Sequence, residues 1–97
     1  MTYHSVPFEM ALRSASGEDV ALQQELRQAF ASSLAYQLDL LRRSRCDGNW
    51  RLAADRLRGL GSSFHALELV ELADHAANAA PGEPTVIRAL EKFSAEL

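Results

Sequence analysis

Five residues in one stretch of this chain, Arg51, Asp55, Arg58, Gly59 and Ser62, are spaced so that a helix would stack them on a single face. A carboxylate with arginines four before and three after it has two readings. It is a surface residue paired locally with Arg51 or Arg58, worth only about 0.2–0.5 kcal/mol, or it is a constant negative charge on a face built for a partner. The glycine is the odd member of the set. On the polar side of a helix, alanine or lysine would add up to about 1 kcal/mol of helix stability. Glycine makes sense there when another molecule must come close to the backbone. The set therefore points to docking rather than to bond-making chemistry.

The remaining reactive residue types are scattered. His65 lies ten residues beyond Asp55, about 80° around the helix wheel and at the end of the helix. A structural role at that turn, such as bonding to a terminal carbonyl, is the expected one. His4 and His75 stand in terminal or polar contexts and are assigned to the surface. No histidine pairs with another ligand at metal-binding spacing, so neither a metal nor a cofactor is expected. Cys46 sits in a turn with no partner base, and Trp50 and Phe64 read as core rather than as a ligand box. There is no Gly-rich phosphate loop, nucleophile elbow or carboxylate pair, and the chain is not expected to be an enzyme.

The elements that must hold these residues are helical. Ser5-Val6-Pro7-Phe8 places a cap-type residue beside a proline suited to a first turn, which predicts a short helix over 6–15, ended by Gly17. Ser16-Gly17-Glu18-Asp19 reads as a capping box opening a long helix that runs to about Arg45. On that helix Leu22, Leu26, Ala29, Phe30, Ser33, Gln37, Leu40 and Leu41 are expected on the buried side, with Leu34 and Leu38 widening the stripe. Arg42, Arg43 and Arg45 close it, favourably placed against the helix dipole.

The next helix, over roughly 49–64, turns Trp50, Ala53, Ala54, Leu57, Leu60, Gly61 and Phe64 inward. Gly61 there would let a neighbouring helix pack closely. A segment over about 66–79 packs through Ala66, Leu69, Val70, Ala73, Ala76 and Ala77. Ala80-Pro81-Gly82-Glu83-Pro84 breaks it, and the last helix buries Val86 or Ile87, Leu90, Phe93 and Leu97. Short connections favour antiparallel neighbours. The expected fold is all-α: an antiparallel up-and-down four-helix bundle over 18–97, with a short extra helix in the N-terminal segment 1–17, forming one domain over 1–97.

Composition agrees with this frame. The chain is 47% apolar and carries a formal charge of −3, which argues against a nucleic-acid partner. No apolar run approaches a membrane span. A single cysteine excludes an internal disulfide and, with no signal peptide expected, fits a reducing cytoplasm.

The stretch Asp47-Gly48-Asn49-Trp50, then Ala53-Ala54-Asp55-Arg56-Leu57-Arg58-Gly59, then Ser62-Ser63-Phe64 and Leu67 to Leu72, resembles a histidine-containing phosphotransfer (HPt) domain. In that family the core helix reads approximately A-H-x-L-K-G-x-x-x-x-x-G and is followed by a leucine-rich helix. The likeness of helix order covers roughly 18–97, and the specific motif spans about 53–69. What the resemblance implies is a signalling protein of the two-component, phosphorelay class that docks a response-regulator receiver domain or a histidine kinase. Arg58 takes the place of the lysine that helps hold the phosphoryl group, and Gly59 takes that of the glycine that admits the receiver.

The chain departs from the pattern at two positions. Asp55 stands where the phosphoaccepting histidine belongs, and His65 stands where a turn glycine is usual. A carboxylate lacks the imidazole nitrogen that becomes a phosphoramidate, so the implied protein docks without accepting phosphate itself. Two alternatives stay open: active phosphotransfer through His65 as a displaced acceptor, and a plain helical interaction module whose motif has decayed.

Overall fold

A computed structural model describes residues 5–97; residues 1–4, His4 among them, and the side chain of Ser5 lie outside that description. Five helices follow one another: α1 (Ser5–Ser16), α2 (Val20–Arg43), α3 (Asp47–Ser63), α4 (Leu67–Ala77) and α5 (Pro84–Ala95). The described residues contain no strand, and no helix among them is long and apolar enough to cross a membrane. α2 packs on α3, α3 on α4, α4 on α5, and α5 returns to α2, while α1 lies against α2.

Each helix begins and ends for a local reason. Pro7 sits in the first turn of α1, where its missing N–H costs nothing. Gly17 reverses the chain after α1 with φ +65°, a conformation that a side chain resists. The cap of α2 is Asp19 rather than Ser16, its carboxylate accepting from the Leu22 amide at 3.1 Å. Ser16 is instead the last residue of α1, buried, its hydroxyl donating to the Leu12 carbonyl at 2.7 Å. α2 stops at Arg43, two residues short of the expected end, because Ser44 is extended. Pro84 opens α5, capped by the Glu83 carboxylate, which accepts from the amide and hydroxyl of Thr85.

One cluster of apolar side chains fills the centre. From α1 it takes Phe8 and Leu12, one turn apart. The Phe30 ring lies 4.8 Å from that of Phe8 and 5.0 Å from that of Phe64, so three aromatic rings join α1, α2 and the end of α3. Arg27 reinforces this corner, paired with Glu9 and set 5.6 Å from the Phe8 ring centre.

The buried stripe of α2 is Phe30, Leu34, Leu38 and Leu41. Leu34 and Leu38, expected at its margin, form its centre, and Leu22, Ala29 and Ser33 are exposed. Two leucine rows run along this helix. Its neighbours bury one fully and the other in part, Leu26 and Leu40 packing against the edge of the core while Leu22 is exposed. α3 buries Trp50, Ala53, Ala54, Leu57 and Gly61, with Leu60 and Phe64 half-buried. The Trp50 indole N–H donates to the Ala76 carbonyl at 2.7 Å, which satisfies its only polar atom inside the core. Leu69, Ala73 and Ala76 come from α4, and Leu90 and Phe93 from α5. Leu97 lies beyond the end of α5 and is 40% exposed, not buried as expected.

Candidate docking face on α3

Burial of Trp50, Ala53, Ala54 and Leu57 fixes the rotation of α3, and that rotation determines what the opposite side presents. Arg51, Asp55, Arg58, Gly59 and Ser62 are all exposed, in one stripe along the helix. The five residues picked out by their spacing therefore do share a surface.

At the centre of the stripe is open space. A Cβ built on Gly59 would meet nothing within 4 Å, so neither the rest of the described chain nor α1 covers this point. Gly61, two positions on, differs in every respect. It is buried, and a Cβ there would stand 3.1 Å from the Ala66 carbonyl oxygen, 3.1 Å from the Val70 amide nitrogen and 3.1 Å from Val70 Cγ2. The first turn of α4 rests on Gly61, as expected of a glycine admitting a neighbouring helix.

The electrostatics differ from the local pairing open to Asp55. Arg58 turns to α4, its Nε donating to Asp74 Oδ1 at 2.7 Å, with both side chains about half exposed. Asp55 forms no ion pair with Arg51 or Arg58, and among the described residues neither Asp55 nor Arg51 has an ion-pair partner. Asp74 anchors Arg58 at one edge of the stripe, while the other four N–H donors of Arg58 have no acceptor among the described residues. Asp55 is left as a solvated, uncompensated carboxylate one turn from an open glycine. No group of three or more His, Cys, Asp or Glu that could hold a metal ion occurs among the described residues.

His65 has a backbone reason to be where it is. Its φ is +56°, the left-handed conformation of a residue just past a helix C-terminus. The His65 amide donates to the Ser62 carbonyl at 3.3 Å and the Ala66 amide to the Gly61 carbonyl at 2.8 Å, the two bonds of a Schellman motif. Position 65 thus demands what glycine supplies freely, and the main chain, not the imidazole, bonds the terminal carbonyls. Cys46 is exposed at the N-cap of α3 and makes no capping hydrogen bond, and His75 is exposed near the end of α4.

Two features of this surface escaped the sequence reading. Asp74 is 16 residues from Arg58 and on another helix, so spacing within α3 could not reveal it. Leu52, 49% exposed beside the stripe, carries no periodic signal because it belongs to neither the core face nor the charged set. No protein-family model, curated protein or solved structure matches the chain.

Proposed function

We propose that α2–α5 form an antiparallel up-and-down four-helix bundle with α1 as an added helix, and that the chain is an HPt-like docking protein of a two-component system. On this reading it binds a response-regulator receiver domain or a histidine kinase in the cytoplasm and carries no phosphate itself. The observation that supports it best is the open stripe around Gly59. A helix gains by replacing an exposed glycine, so a glycine with free space above it, flanked by Asp55 and by an anchored arginine, suits a surface whose shape a partner reads. Asp55 supplies a fixed negative charge at the centre, and it has no ring nitrogen to phosphorylate. The closed sequence of helix contacts, α2 to α3 to α4 to α5 and back to α2, supports the bundle arrangement.

The test is radiolabelled transfer combined with binding. Incubated with phosphorylated receivers or an autophosphorylated kinase, the protein should stay unlabelled, while calorimetry detects a complex with at least one receiver or kinase. Acid-labile, alkali-stable label that disappears in His65→Ala would replace this reading with phosphotransfer through His65. Absence of any complex would leave only a helical interaction module.

A further inference from the structure

Charge is divided unevenly along the chain. Residues 42–58 hold six arginines and two acids, a local charge of +4, whereas the other residues hold four bases and eleven acids, a charge of −7. The basic stretch covers the end of α2 and most of α3. Arg42, Arg43 and Arg58 in it pair with Glu91, Asp39 and Asp74 from outside it, and among the described residues Arg45, Arg51 and Arg56 have no ion-pair partner. Between these two helices, on the α2 side of the Asp55–Gly59 stripe, lies a cleft of about 280 Å³ lined by Leu40, Arg43, Ser44, Asn49, Leu52 and Arg56.

The lining has two chemical parts. Leu40 is half-buried and Leu52 is 49% exposed, so about half of this apolar side chain faces solvent. At the rim Arg43 leans on Asp39 at 3.1 Å, and Arg56 has no ion-pair partner among the described residues. Leu40 and Leu52 thus share a cleft with one guanidinium paired to Asp39 and one without an ion-pair partner, on a chain whose other residues are acidic, so an occupant is selected by charge as well as by shape.

We propose that this cleft binds an acidic amphipathic segment of a partner protein, with an apolar side chain against Leu40 and Leu52 and carboxylates at Arg43 and Arg56. The proposal rests on the cleft alone and not on the phosphorelay reading of the Gly59 stripe. Nucleic acid fits it less well. A polyanion has no use for Leu52, and Asp39, Asp47 and Asp55 interrupt the cations while the remaining surface repels it.

The experiment titrates the full chain, labelled for amide NMR, with a synthetic helical peptide bearing a leucine stripe flanked by glutamates. A control peptide has serine for leucine at unchanged charge, and a DNA duplex serves as the polyanion. The leucine peptide should shift amides around Leu40, Arg43, Leu52 and Arg56, and raised salt should weaken it. The serine peptide should bind about tenfold more weakly or worse, and Leu52→Ser and Arg56→Glu should each cost the leucine peptide about as much. Both substitutions are at exposed positions and should leave the fold intact, with Leu52→Ser lowering the denaturation midpoint slightly because serine is the poorer helix former and half of Leu52 is covered. Equal binding of the two peptides, tighter binding of the duplex, or shifts elsewhere would each overturn the proposal. No receiver domain takes part, so failure here leaves the docking reading of Gly59 standing.

Discussion

Gly59 and Gly61 are two residues apart on α3 and meet opposite surroundings. Gly61 is enclosed by the Ala66 carbonyl and Val70, and the chain's own packing accounts for it. Gly59 faces open space, and nothing the described chain does for itself requires a glycine there. Both positions lower helix propensity by the same amount, yet only the inner one has a return within the domain. The inner face of α3 is explained by folding, and on the outer face the proposed partner is what would account for the glycine. That asymmetry is the physical content of the functional proposal, because the outer face combines its glycine with an unpaired Asp55 and an Arg58 fixed by Asp74.

The contrast breaks most readily at Leu57, which is fully buried in the centre of the inner face. Leu57→Ala should cost roughly 2–5 kcal/mol in denaturant unfolding, as core truncations do. A loss below about 0.5 kcal/mol would mean that the two faces have been exchanged. Gly61→Ala comes next. Its methyl would press on main-chain atoms of α4 that the Ala66–Gly61 hydrogen bond holds in place. Overpacking of about 1–3 kcal/mol should outweigh the gain of up to about 1 kcal/mol in helix propensity, giving a lowered midpoint. His65→Gly should act in the other direction, raising stability by up to about 1 kcal/mol, because glycine relieves the left-handed strain at φ +56°. Unchanged or reduced stability in His65→Gly would point to a role for the imidazole that the backbone geometry does not supply.

Much of this was legible in the sequence, where one periodic signal dominated. α3 has a single apolar stripe, so its rotation, the exposure of Asp55 and Gly59 and the burial of Gly61 could all be read directly. α2 has two overlapping leucine rows, and only its neighbours decide that Leu34 and Leu38 are central while Leu22 is exposed. At the start of α2, Ser16 to Asp19 reads as one capping box with Ser16 as the cap, but Ser16 ends α1 and Asp19 is itself the cap. Contacts between helices were not legible: the Arg58–Asp74 pair depends on how α4 lies beside α3, which no pattern within either helix encodes.

The measurement that bears most directly on the account compares Gly59→Ala and Gly59→Glu in thermal denaturation and in calorimetric titration with the receiver domain that binds the unaltered chain. Gly59→Ala should stabilise the free domain by up to about 1 kcal/mol, since its methyl meets open space and alanine is the better helix former. Gly59→Glu should fold normally but lose roughly 2 kcal/mol or more of binding, about thirtyfold, through bulk and added negative charge at the point of closest approach. Stability and binding moving in opposite directions at one residue is the predicted result. If Gly59→Glu binds the receiver as the unaltered chain does, the outer face of α3 is not the docking surface.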